Sequence, residues 1–268
     1  MTMQHGDEST EAQAVRERYA RRLPQDPRYS LLNPAALLAF QERQRAMLVL
    51  FKRLGWSDLS ALKLLEVGSG TGSNLVECVL MGFAPEHLSG IELLAERHAV
   101  ARARLPEAVH LTQGDALALM PPPASVDIVL QSTVFSSLLD DSFQQRLAAA
   151  MWAAVKPGGG VLWYDFTVNN PRNRDVRGVP ASRVRQLFPL ANIETRRVTL
   201  APPLARAASR VHPALYGLLN AVPWLRTHVL MWIDKPHTES FADRVRGRFE
   251  GAEVEDLPVP ERHQPRDS

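Results

Sequence analysis

Three glycines alternate with small polar residues in Gly68-Ser69-Gly70-Thr71-Gly72. They follow the apolar run Leu64-Leu65-Glu66-Val67, which carries one carboxylate, and precede a helix-compatible segment, Ser73 to Leu80. Glycine admits positive φ and lets a ligand approach the main chain with no Cβ in the way. A helix that starts just after such a turn offers unpaired N–H groups and a partial positive charge. Strand, glycine turn and helix together make a cradle for the polar part of a nucleotide-like ligand. Glu92 follows Gly90-Ile91, twenty residues past Gly72, where an acid can accept hydrogen bonds from ribose hydroxyls.

Other residues could add chemistry at the ends of later strands. Asp115 follows Gly114, and Gln131 opens an uncharged stretch that runs to Phe135. Asp165 and His212 are candidate general bases, although Asp165 reads more readily as a hydrogen-bonded loop acid and His212 as a helix-capping or packing histidine. Asn169, Asn170, Arg172, Asn173, Arg174 and Arg177 form a donor-rich stretch that could hold a sugar, carboxylate or phosphate, or could simply be solvated. Asn170, Arg172 and Arg174 are the candidate acceptor-binding residues. No catalytic triad or compact set of metal-binding side chains stands out, and the single cysteine, Cys78, excludes a multi-cysteine zinc site.

The glycine spacing is GxGxG, one residue shorter than the dinucleotide fingerprint, which disfavours an NAD-dependent oxidoreductase. Glu66, the GxGxG loop and Glu92, followed in order by Gly114-Asp115, Asp127-Ile128-Val129-Leu130 and Lys156-Pro157-Gly158-Gly159-Gly160, resemble the class I S-adenosylmethionine-dependent methyltransferases over about the middle half of the chain. That resemblance implies S-adenosylmethionine as cofactor. Gly68, Gly70 and Gly72 would face its methionine part, and Glu66 would order the loop and the cofactor's amino group. Glu92 would take the ribose, and Asp115 would take the adenine amino group or else cap a helix. Gln131 would stand where sulfonium and acceptor meet. The loop after the fifth strand and the apolar late segment are also similar to bacterial methyltransferases of surface-polysaccharide assembly. Asn170-Pro171-Arg172 stands after the wrong strand to match the turn of the DNA adenine methyltransferases.

The elements that must hold these residues alternate. Strands are expected at 62–67, 88–92, 109–113, 126–131 and 160–166, with helices at 74–81, 95–105 and 142–155, the last capped by Asp141 or Ser142. Strands alternating with helices imply an α/β fold with a mostly parallel sheet. Two further strands, 193–200 and 228–234, complete the seven-stranded Rossmann-like sheet of the resembled family, the last strand antiparallel, with helices on both faces. A helix from Asn33-Pro34 to about Leu54 precedes the sheet. Residues 1–55 are expected to be an N-terminal helical lid in which Tyr19 and Tyr29 either cover the site or pack. Residues 56–236 would be the catalytic domain, with a helical insertion at about 203–226, and 237–268 a polar tail. The arginines of 95–105 read as a solvated face.

The chain of 268 residues is 45% hydrophobic with a net charge of +2, enough for a real core and no signature of nucleic-acid binding. Met1 to Thr10 has no signal-peptide character, so a cytoplasmic location is the expectation. Val211 to Leu225 is apolar but broken by prolines and too short to span a bilayer, leaving peripheral membrane contact as one use for it. The expected function is O-methylation of a small or glycan-like acceptor. The alternatives are a lipid-linked or aromatic acceptor, or a non-catalytic S-adenosylmethionine-binding module.

Overall fold

The computed structural model of the protein describes residues 10–21, 26–169 and 173–237. The polar tail, Asn170, Arg172 and the side chain of Tyr29 lie outside the described residues. Met1–Lys235 forms one compact unit, and only positions 236–237 of a second, Pro236–Ser268, are described.

Helices α1 (Thr10–Ala20) and α2 (Pro34–Arg53) precede the sheet. Asn33 caps α2 as expected, its side chain accepting from the Ala35 N–H. Then come β1 (Leu64–Val67), α3 (Ser73–Met81), β2 (Leu88–Glu92), α4 (Ala95–Arg104), β3 (His110–Gln113), α5 (Ala116–Leu119) and β4 (Val126–Ser132). These are followed by α6 (Asp141–Ala154), β5 (Val155–Phe166), α7 (Ala181–Leu187), β6 (Asn192–Leu200), α8 (Pro202–Val211), α9 (Pro213–Asn220) and β7 (Arg226–Asp234). The seven-stranded sheet runs β3-β2-β1-β4-β5-β7-β6, parallel from β3 to β5, with β7 antiparallel between β5 and β6.

Successive strand residues point to opposite faces, and both faces are covered. Val161 and Trp163 join a core with α6 and α7, whereas Leu162 and Tyr164 join one with α2, α3 and α4. This double burial is why β4 reads as a nearly continuous apolar run.

Two local readings are corrected. Asp140 caps α6, accepting from the Ser142 and Phe143 N–H groups, because it stands one residue before the first helical turn. β5 starts at Val155 and absorbs the Lys156–Gly160 turn, and the pairing with β4 shifts register between Val126 and Ile128 to accommodate it.

Candidate functional site

The C-terminal ends of β1, β2 and β4 converge on the glycine loop. Gly68, Gly70 and Gly72 all adopt left-handed backbone, with φ of 68°, 58° and 79°. The Gly68 and Ser69 N–H groups donate to the Ile91 carbonyl at 2.8 and 3.0 Å. Glu92 clamps the loop from β2: one oxygen accepts from the Gly70 N–H at 2.7 Å and the other from the Leu94 N–H at 2.9 Å. Gly90 is needed on β2 because a Cβ there would lie 2.8 Å from Ser69 Cβ and 2.9 Å from a Leu75 methyl.

Glu66 is fully buried beneath this loop. The Asn74 amide donates to its Oε1 at 2.5 Å, and Oε2 is buried with no hydrogen-bond partner among the described residues. Burial pushes its carboxyl up to about 8, partly opposed by the Asn74 hydrogen bond and the Arg43 charge. Asp115 caps α5 through the Leu117 N–H at 2.9 Å, at the end of β3. Gln131 is also fully buried: it accepts from the Val134 N–H and donates to the Tyr164 carbonyl, so it shapes the turn after β4. Thr133 in that turn has φ of 57°, a strained setting for a β-branched residue.

Helix α1 closes over these strand ends. Arg18 pairs with Glu11 at 2.6 Å and donates to the Ser137 carbonyl, while Glu11 accepts from the Leu139 N–H. Tyr19 lies near Ser137 and beneath the Arg97 guanidinium, 5.1 Å from its ring centroid. Arg97 also covers Gly70, where a Cβ would sit 2.6 Å from Nη2. Of the α4 arginines, Arg97 and Arg102 are therefore half-buried and only Arg104 is exposed, as a solvated face would have it. Arg102 donates to the Leu105 and Val109 carbonyls, and Arg104 to Thr71 Oγ1, because the helix runs alongside the loop and β3.

Both candidate bases are reassigned. Asp165 is fully buried, accepting from the Ser136 and Phe166 N–H groups, and burial raises its carboxyl to about 7. It anchors the β4 turn and offers no open face to an acceptor. His212 is exposed between α8 and α9, its Nδ1 accepting from the Ala214 N–H as a helix cap. Three of the described residues of the donor-rich loop have partners. Asn169 accepts from the Gly178 N–H, Asn173 from the Asp175 N–H, and Arg177 pairs with Asp141. Arg174 stands exposed.

Sequence reasoning missed a polar cluster beside the site. Arg43 of α2 reaches Glu77 at 2.6 Å, with side chains 14% and 1% exposed, and packs over the Tyr164 ring at 5.2 Å. The Tyr164 hydroxyl lies 2.9 Å from Thr199 Oγ1. His228, at the start of β7, stacks on Tyr164 with centroids 5.2 Å apart and planes 16° off parallel. Burial and the Arg43 charge push His228 down to about 4, so it is neutral at neutral pH. One signal was available: Arg43 shares a helix face with the buried Met47 and Leu50, at i+4 and i+7.

Residues 64–159 match the family model described as a methyltransferase domain. The glycine loop, Glu66 and Glu92 lie within that matched segment. A Bacillus cereus protein named as an uncharacterized methyltransferase is 30% identical over 139 residues, 52% of this chain and 63% of that protein. The chain therefore spans under two thirds of that relative's length. Among solved structures, a Mesorhizobium loti S-adenosylmethionine-dependent methyltransferase covers 71% of this chain and 95% of its own, with a TM-score of 0.51 and 16% identity. Haemonchus contortus phosphoethanolamine N-methyltransferase 2, in complex with phosphomonomethylethanolamine and S-adenosylhomocysteine, covers 83% of this chain and 61% of its own, with a TM-score of 0.55 and 17% identity. At these identities the likeness is one of fold.

S-adenosylmethionine is the cofactor these likenesses support, and the residues of the matched segment fit it. A Cβ at Gly68 would collide with Val134 and one at Gly70 with Arg97, so glycine is what fits the loop there, and the buried Glu66 Oε2 is an acceptor that an ammonium group could meet. Asp165, His212, Arg43 and His228 all lie outside the matched segment.

Proposed function

We propose that the protein is an S-adenosylmethionine-dependent methyltransferase that methylates a hydroxyl of a small or glycan-like acceptor. The observation that carries the cofactor half is the buried, half-partnered Glu66 beneath three left-handed glycines. The cofactor supplies a methyl group on a sulfonium, displaced in line by the acceptor oxygen. Glu66 and the loop N–H groups orient the methionine end, Glu92 holds the loop against the ribose side, and Asp115 lines the adenine side. The acceptor lies against the wall formed by Arg43, Tyr164 and His228. As the oxygen bonds to the methyl group its proton becomes strongly acidic, so even a weakly basic neutral imidazole can take it. His228 replaces Asp165 and His212 in that role. A lipid-linked acceptor is a second reading, favoured by the apolar surface of α8 and α9.

Calorimetry tests the cofactor half. S-adenosylhomocysteine is expected to bind and NAD is not. Only ionised Glu66 pairs with the ligand's ammonium, and its raised value leaves it largely protonated in the free protein below pH 8. Affinity should therefore climb as pH rises from 6 to 8, by up to about tenfold per unit. Glu66→Gln should flatten that profile. A flat profile in the unaltered protein removes Glu66 from the role, and NAD binding without S-adenosylhomocysteine binding ends the proposal.

Turnover on a panel of hydroxyl acceptors tests the other half. His228→Asn is expected to lower kcat by roughly a hundredfold or more while leaving the affinity for S-adenosylhomocysteine near that of the unaltered protein. Full turnover in that variant would show that the proton leaves by another route.

A further inference from the structure

The segment from Thr195 to Ile233 contains five arginines and no carboxylate. Inside it, α8, α9 and the short 3-10 turn Pro223–Leu225 form an insertion between β6 and β7. Ala205 and Tyr216 face inward, packing with Ala35 of α2 and Leu200, and Ala208 is buried. Three of its larger apolar side chains face outward instead, although Leu219 and Leu225 pack inward: Val211 is 76% exposed, Leu218 68% and Trp224 82%. Leu32, just before α2, is 95% exposed. That segment adjoins the insertion, because Ala35 packs on Ala205 and Tyr216, and Asp26 feels the charge of Arg206.

Burying large apolar side chains inward and small polar ones outward is the usual economy of a surface helix. This insertion does the reverse at Val211, Leu218 and Trp224. Arg206 and Arg210 stand on the same helix as Val211. Asp26, the carboxylate facing Arg206, is already forked by Arg28. Tryptophan and leucine beside uncompensated arginine are the chemistry of an interfacial contact with anionic lipid. Among the described residues no helix is long and apolar enough to cross a membrane, so such contact would be at the surface.

We infer that the α8–α9 insertion, with Leu31 and Leu32, docks the protein onto an anionic lipid surface. The inference stands independently of the methyl-transfer reading, since its test reads binding alone. The contact would set the Arg43–Tyr164–His228 wall near the bilayer, because α8 and α9 also pack on α2.

The test is flotation of the full chain with vesicles of phosphatidylcholine alone and of phosphatidylcholine mixed equally with phosphatidylglycerol. Binding is expected only to the mixed vesicles and should weaken as salt rises. Arg210→Ala should reduce partitioning by about fivefold, near 1 kcal/mol for one surface arginine. Trp224→Ser combined with Leu218→Ser should abolish detectable flotation. All three positions are exposed, so circular dichroism should be unchanged. No binding to mixed vesicles overturns the inference, as does binding that the double variant leaves intact. A concentration-dependent dimer that the double variant abolishes, without vesicle binding, would make the face a contact between two copies.

Discussion

Arg43→Ala is expected to lower the unfolding free energy by roughly 3–5 kcal/mol, the range for removing one partner of a buried ion pair. Glu77 is 1% exposed at its side chain, and burial already holds its carboxyl above the ordinary value. The Arg43 charge and hydrogen bond oppose that rise, so removing them strands a buried carboxylate. A sign follows for pH. In the variant Glu77 binds its proton more tightly when folded than when unfolded. Its destabilisation should therefore shrink as pH falls and Glu77 becomes neutral. Replacing Glu77 by Gln in the same chain should recover much of the loss. His228 should titrate higher in the variant, because Arg43 is one cause of its depression. Urea unfolding at several pH values reads the first effects, and imidazole NMR signals read the last. A variant within about 1 kcal/mol of the parent would mean that the pair is solvated.

The second large effect is at Gly72, and Gly55 supplies the control. Both have φ of 79°, but a Cβ at Gly55 meets nothing within 4 Å. At Gly72 it would lie 2.8 Å from Leu105 Cδ1, 3.2 Å from Ala101 Cβ and 3.3 Å from Ala101 Cα. The Leu105 methyl can rotate away, but the backbone of α4 cannot. Gly55→Ala should cost only the left-handed penalty, roughly 1–2 kcal/mol. Gly72→Ala adds overpacking of about 1–3 kcal/mol against α4. It should also weaken S-adenosylhomocysteine binding, since Gly72 closes the cradle and is the N-cap of α3. Equal destabilisation in the two variants would show that helix packing does not constrain the loop.

The elements legible in the sequence are those whose cause is local. The α2 start follows from Asn33-Pro34, and α3 ends at Gly82 in left-handed backbone. The glycine loop was legible because positive φ at alternate positions needs glycine whatever the rest of the chain does. Strand order was legible only through the resemblance, since nothing in β6 or β7 states that β7 runs antiparallel between β5 and β6. The Asp140 cap was missed by a single residue, because Asp140, Asp141 and Ser142 are all good caps and the fold chooses among them.

By itself, then, the sequence determined the cradle: Glu66, Gly68, Gly70, Gly72 and Glu92 lie within one strand–turn–helix–strand unit, where short chain connections leave little freedom. The tertiary structure decided which charged groups are sealed and which face the site. Asp165 and Gln131 lie at strand ends like true site residues, yet the β4 turn folds over them and uses their hydrogen bonds. Arg43 and His228 are 185 positions apart and meet only because α2 covers the face onto which β7 inserts. Burial then sets the charge state of His228, and burial is a property of the assembled core that no local stretch of residues encodes.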